Sequence, residues 1–523
     1  MTAPAIEPID ALRRRQFIRL TTGSLATLAG CTPRDANRRD RTLIIAFPGT
    51  DKGMNPLNDE ESKFLVFLPL LRGDDSGELE GRLAERWEHS ADYREWTYHL
   101  RKNVRWHDGV PVTAHDVKFT LELLTHPDIL ELGPHDIESV SVLDDSTVRV
   151  RFGSLYGWHS MASWEVIFPK HLLNQLDPKK VGEWDFWTHP IGNGPYRFVH
   201  GVPHTMMEFE ANPDYYRGKP RIERLVLKFA RGAGLVELFS GNVDVFMDET
   251  IMGGSVLPST LAASVHAYYG FRPTGIMYQY AILWQNAHPL FKDVRVRRAL
   301  TLAINRRELA RIINLPEILP IVDGPLTPRQ MRRGELPAPL PYDPDQARAL
   351  FDAAGWRQPG ASAVRERDGR SFRFTMLQST RPGFSQIAVY VQAALRNVGV
   401  GMDIQTMDES LVSPAMRGGQ FDAALVFGTA DDWFQTRFPL GLGYRNPHVG
   451  TLVKEIDVAM TQDDIDRICR ELAEIFRVDV PATFLFPSVG TVLAHQRVHG
   501  LSSPWRADPI RHIDELWLDD RGS

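Results

Sequence analysis

Trp106-His107-Asp108-Gly109 sets an imidazole beside a carboxylate, the pairing that activates a nucleophile in hydrolytic chemistry. Adjacent residues of an extended chain point to opposite faces, so His107 and Asp108 do not readily serve one site. Gly192-Asn193-Gly194 has two glycines of a dinucleotide loop but lacks the third, and Pro195-Tyr196 does not open a helix. His200 and His204 are spaced like metal ligands on a helix, yet Gly201 and Pro203 lie between them. Neither His-Glu-x-x-His nor Gly-x-Ser-x-Gly occurs. Cys31 and Cys469 are the two cysteines, too few for a zinc or iron–sulfur cluster. The reading is a protein without catalytic residues, cofactor or metal site. What remains are aromatic clusters with polar neighbours, Tyr156-Gly157-Trp158-His159 and Glu183-Trp184-Asp185-Phe186-Trp187. Such rings wall a small-molecule pocket or fill a core, and Trp158 and His159 are the better pocket candidates.

The chain that must position these groups has 523 residues, beyond the size at which one core keeps growing, so two or more lobes are expected. Its hydrophobic fraction of 43% and charged fraction of 24% are those of a globular protein. Residues 1–30 hold four Arg and two acidic residues, so the remainder carries 56 basic and 64 acidic side chains, a net of −8. That sign, without a basic stripe, argues against a nucleic-acid partner.

The amino-terminal 31 residues read as an export signal. Arg14-Arg15-Gln16-Phe17-Ile18-Arg19 precedes a short apolar run and resembles a twin-arginine address. Leu28-Ala29-Gly30-Cys31 resembles a lipobox, in which the cysteine carries lipid. The apolar stretch is about half of the roughly 20 residues a membrane span needs. Attachment through lipid at Cys31 alone, in the periplasm or at the surface of a bacterial cell, is expected. Polar residues 32–41 then form a tether.

Beyond the tether, short strands and helices alternate. Thr42–Phe47, Trp96–Leu100, Ser139–Leu143 and Thr147–Phe152 read as strands. Thr113-Ala114-His115-Asp116 opens a helix. Helical spacing recurs at 293–304, at 344–354 with Asp343 as N-cap and Gly355 as stop, and at 385–398. Strands follow at 401–406 and 421–427, the second ending in Gly428-Thr429-Ala430-Asp431-Asp432-Trp433. Asp431 and Asp432 could cap a helix that starts at Trp433. Pro316–Pro341 reads as extended loop, and Cys469 as a small buried residue on a helix. No internal repeat is present.

Several blocks, in order, resemble the family 5 extracellular solute-binding proteins, the oligopeptide-, dipeptide- and nickel-type receptors of ABC importers. They are Leu83–Glu88 with Leu100–Gly109, Pro190–Tyr196, Asn212–Pro220, Asp293–Leu300, Tyr342–Asp345 with Ala353–Trp356, and Gly418–Asp422. The resemblance spans residues 42 to about 500 and implies an α/β, two-lobed periplasmic-binding-protein-like (class II) fold. Lobe I would comprise 42–275 and 484–523, with an inserted subdomain about 75–188. Lobe II would comprise 276–483. A monomer that closes over a peptide or small-molecule solute and delivers it to an ABC permease in the membrane is implied.

The resemblance also implies where the solute sits. An aspartate after a second-lobe strand meets the ligand ammonium, which places Asp431 there and Asp432 as its substitute. Relatives often carry Trp on the strand side of that aspartate. This chain has Phe427-Gly428-Thr429 instead, with Trp433 beyond, so a non-peptide solute such as a metal chelate, opine-like compound or oligosaccharide stays open. Thr50 and Asp51, after the first strand, would face the cleft. Leu283-Trp284-Gln285-Asn286 would lie where the chain crosses between lobes, with Trp284 and Asn286 in reach of ligand.

Overall fold

The computed structural model describes every residue except 1–40, 48–61, 75–78, 127–136, 154–165, 230–232, 249–263, 271–275, 316, 318, 336, 361–362, 382, 420, 430–432, 435–441, 489, 503–507 and 520–523. Cys31, Thr50, Asp51, Trp158, His159, Asp431 and Asp432 therefore lie outside the described residues.

Two separate sheets organise the chain. The first has seven strands, in the spatial order Val265–Gly270, Gly490–His495, Val245–Asp248, Thr42–Phe47, Arg224–Phe229, Met206–Ala211, Tyr196–Val202. Its centre is parallel, because Thr42–Phe47 pairs in the same direction with both Arg224–Phe229 and Val245–Asp248. The second has five strands, in the order Gly401–Met407, Arg373–Ser379, Ala423–Gly428, Gln279–Trp284, Ala482–Pro487. Here the strand Arg373–Ser379 runs parallel to both its neighbours, while Gln279–Trp284 runs against its own. The central strand Ala423–Gly428 is apolar, and all six residues of Gln279–Trp284 are buried, as a sheet covered on both faces requires.

A four-stranded antiparallel sheet formed by 84–89, 95–100, 147–152 and 137–144 is inserted into the first lobe. It shares one core with the seven-stranded sheet, since Trp96, Tyr98 and Val148 belong to the same buried cluster as Leu43, Phe209 and Leu227. The helix Ala114–Leu124 covers it, started by a capping box between Thr113 and Asp116. Gly192 and Gly194 are required by close approach rather than by phosphate, because a Cβ at either would strike the Val66 carbonyl. Asn193 and Gly194 donate their backbone N–H to that same oxygen.

Helices fall close to the expected places: Val294–Leu302, Pro344–Ala353 capped by Asp343, and Phe384–Arg396. Pro316–Pro341 differs. Thr327 forms a capping box with Gln330 and Pro328 takes the first helical position, so Pro328–Arg333 is a short helix inside that stretch. Cys469 is buried on the helix Gln462–Asp479.

The chain passes between the two sheets twice, from Gly270 to Gln279 and from Pro487 to Gly490. The expected boundary at 483/484 falls inside the strand Ala482–Pro487, which pairs with Gln279–Trp284 in the second sheet. Among the described residues no helix is long and apolar enough to cross a membrane.

Candidate functional site

Strand direction fixes where a ligand can sit. In open α/β sheets the crevice lies beyond the carboxyl ends of the parallel strands. In the first sheet those ends are Phe47, Phe229 and Asp248, and Asp248 pairs with Thr491 at the start of the returning strand. In the second sheet they are Ser379, Met407 and Gly428, and Gly428 pairs with Gln279 where the crossing segment enters. Both sets of carboxyl ends thus lie at the two crossings. The crossings are bonded to each other there, the Ser488 N–H donating to the Tyr278 carbonyl at 2.7 Å.

The rim on the second sheet is aromatic and cationic. Ala423 pairs with Met376, and the same register carried five residues further brings Arg381 level with Gly428. The Arg381 guanidinium lies over the Phe427 ring, 4.7 Å from its centroid, and pairs with the Glu409 carboxylate. On the same ring, Tyr278 stacks at 5.3 Å with 19° between planes, and Tyr280 sits at 4.9 Å. Burial pushes the Tyr280 hydroxyl well above the usual phenol range, against the opposing pull of the Arg381 charge and a hydrogen bond with Ser488. Arg381 is about one-third exposed, so its charge is presented rather than buried.

Arg381 also belongs to the turn that starts the 13-residue helix Phe384–Arg396. Its carbonyl accepts from Phe384 N, and the N-cap is Gly383 at φ 84° with no side-chain cap. A helix start of this kind carries partial positive charge and N–H groups in need of acceptors. Beneath it, Gln378 donates its amide to Ser385 Oγ and Thr406 Oγ1, while the other end of that amide is buried without a partner. A guanidinium, an aromatic face and an open helix start together suit a carboxylate on a partly apolar solute.

The remaining predicted residues are placed elsewhere. Trp433 is 4% exposed, with its ring packed against Phe484 and over Gly428, where a Cβ would lie 2.7 Å from the indole nitrogen. The ring belongs to the buried core of the second lobe. Trp284 and Asn286 require correction. Strand Gln279–Trp284 enters at the crossing with Gln279, so Trp284 lies at its far end, about 17 Å away at ~3.4 Å per residue. Trp284 is fully buried between Phe291 and Phe374, and its indole N–H donates to Thr483 Oγ1. Asn286 donates its amide to the Trp284 and Pro481 carbonyls, closing the far end of the sheet. Neither side chain faces the crevice.

Trp184 and Trp187 are likewise core, each donating its indole N–H to a backbone carbonyl, of Asp177 and Val181 respectively. His107 and Asp108 serve different partners. The His107 ring bridges Gly192 N and Gly194 O, and its desolvation lowers its pKa to about 4. Asp108 pairs with His171 at 2.8 Å. Arg381 is the residue the sequence reading missed. Its signal was there: a strand-like run, then Ser379-Thr380-Arg381-Pro382-Gly383, then a helix, with the cation at the carboxyl end of a strand.

Residues 78–449 match the profile of the bacterial extracellular solute-binding proteins, family 5. The oligopeptide-binding protein AppA of Bacillus subtilis is 24% identical over 510 residues, covering 91% of this chain and 90% of its own. The nickel-binding periplasmic protein of Escherichia coli is 23% identical over 433 residues, covering 79% of this chain and 78% of its own. Among solved structures, NikA from Brucella suis in complex with Fe(III)-EDTA superposes with a TM-score of 0.72 at 19% identity. That match covers 91% of this chain and all of NikA.

Proposed function

The chain belongs to the family 5 bacterial extracellular solute-binding proteins, and from that premise we propose that it is the lipid-anchored substrate-binding component of an ABC importer, capturing oligopeptide-like solutes by hinge closure. The observation that carries the reading is the convergence of both sheets' parallel carboxyl ends on two mutually bonded crossings, with Arg381 at the rim. A solute held there touches both lobes only when they meet, so binding favours the closed form.

In this reading Arg381 and the start of helix Phe384–Arg396 take the carboxylate of the solute, and the Phe427–Tyr278 face takes its apolar part. Asp431 takes the ammonium, with Asp432 as its neighbour and the buried Trp433 next in the chain. Thr50, Asp51, Trp158 and His159 complete the cleft from the first lobe. Export by the twin-arginine route and lipid at Cys31 hold a monomer at the membrane beside its permease. The second reading, a carboxylate-bearing chelate of a metal, uses the same Arg381 platform and draws support from the nickel-binding relative.

Native and then denaturing mass spectrometry of the gently isolated protein tests this directly. A ladder of short peptide masses supports the first reading. One non-peptide mass supports the second, and solute-free protein that binds neither class overturns both.

A further inference from the structure

Met460 is out of place. It lies between the helices Pro447–Asp457 and Gln462–Asp479, which pack on the second sheet, and its neighbour Ala459 is buried in that lobe's core. The Met460 side chain is instead buried in the core cluster of the first lobe, among residues of 43–247 and 492–516. Only 6% of it is exposed. One short turn thus reaches from one hydrophobic core into the other.

The mount of this knob is stiff. Thr461 caps the helix that follows, accepting from Asp464 N and donating to Asp464 Oδ2 at 2.5 Å. In the next turn Asp466 is buried and accepts from Thr327 Oγ1 at 2.6 Å and from Gln462 Nε2 at 3.2 Å. Arg329 pairs with Asp463 and Asp466, and Gln330 donates to the Asp466 carbonyl. The segment carrying Thr327 also grips the crossing itself. Met277 N donates to the Leu326 carbonyl and Gln279 Nε2 to the Gly324 carbonyl, at 2.9 and 3.0 Å. A polar network therefore ties the base of Met460 to the hinge, so the knob moves with the second lobe as one body.

We infer that Met460 is a positioning residue for closure: an apolar latch that biases the ligand-free protein toward the closed arrangement. Opening the hinge withdraws the thioether chain from the first lobe's core into water, which opposes opening whether or not a solute is present. A solute then meets a cleft already part-closed, and its apparent affinity is higher by the factor the latch adds to the competent population. The consequence for affinity rests on the capture reading; the effect on lobe distance does not.

The test measures lobe separation without any solute. Spin labels at exposed Ser141→Cys and Asp403→Cys, one on each lobe, in a full-length Cys31→Ser background, report the distance by pulsed electron resonance; Cys469 is buried. Met460→Ala and Met460→Gln are each expected to lower the closed-to-open ratio about tenfold, and Met460→Leu to keep it. Melting temperatures are read alongside. Distance distributions that Met460→Ala and Met460→Gln leave unchanged overturn the inference. A shifted distribution in a protein that binds no peptide or chelate would uphold the latch and sink the capture reading instead.

Discussion

Replacing Arg381 by Ala should abolish recognition of a solute carboxylate while sparing the fold. The guanidinium rests on Phe427 and pairs with Glu409, whose side chain is more than half exposed. Such a pair contributes about 0–1 kcal/mol, so its loss barely moves stability. Within the closed cleft a solute carboxylate would be shielded from water. Truncating one partner of a desolvated, hydrogen-bonded charge pair costs about 2–5 kcal/mol. Subtracting the Glu409 contact that the solute displaces leaves about 1–5 kcal/mol; ~2 kcal/mol, in the lower half of that range, is roughly 30-fold in Kd. Isothermal titration with one peptide, as free acid and as carboxyl-terminal amide, reads this directly. Wild type should prefer the acid by about that factor; Arg381→Ala should bind the two alike. Arg381→Lys keeps the charge but loses the planar stack and the fork, so it should fall between. Glu409→Gln frees the guanidinium and should tighten the acid a few-fold. An Arg381→Ala protein that melts normally yet still prefers the acid would refute the assignment.

Other expectations follow from single residues. Asp431→Ala should weaken a peptide with a free amino terminus more than roughly tenfold, by leaving a buried ammonium uncompensated; equal affinity for an amino-acetylated peptide in wild type would argue against it. Trp284→Ala should cost about 3–5 kcal/mol in urea unfolding, the usual loss for a fully buried Trp. It should leave the Kd of the folded protein unchanged, and a raised Kd would restore a ligand role. His107 should make stability fall with acid. Its folded pKa of about 4 lies below the ordinary 6.5, so only the unfolded chain takes up the proton between these values. Stability is full above pH 6.5, declines through the interval and levels off below about 4, with a total of about 3 kcal/mol. The difference between wild type and His107→Asn across that range checks it.

The elements were legible because local signals and tertiary demand agreed. Asp343 before Pro344, Thr113 before Asp116 and the apolar run 423–428 each name their structure within a few residues. Pro316–Pro341 hid a helix, since its prolines suggest extended chain while Thr327, Pro328 and Gln330 spell a helix start. Trp284 and Asn286 were misplaced for another reason. An apolar strand reads the same in either direction, so nothing in Gln279–Trp284 says which end enters the sheet at the crossing. Only the pairing of Gln279 with Gly428 and Pro487 orients it.

That orientation also bears on how closure can be transmitted. Tyr278 is shared by three structures: its carbonyl bonds the second crossing, its ring stacks on Phe427 beneath Arg381, and its neighbours Met277 and Gln279 are bonded to the 324–326 segment. A solute that draws Arg381 away from Glu409 acts on the Phe427 ring, against which Tyr278 stacks one residue from the bonds that set the hinge. The latch at Met460 is tied to the same 324–330 segment through Asp466. Recognition at the rim and docking of the lobes therefore meet at one short stretch of chain. Substitutions at Arg381 and Met460 act on different quantities, the first on the affinity of the closed cleft and the second on how often it is closed, so their losses should add in log Kd. A double variant Arg381→Ala/Met460→Ala whose loss departs from the sum of the single losses by more than about 0.5 kcal/mol would show that the rim also moves the hinge.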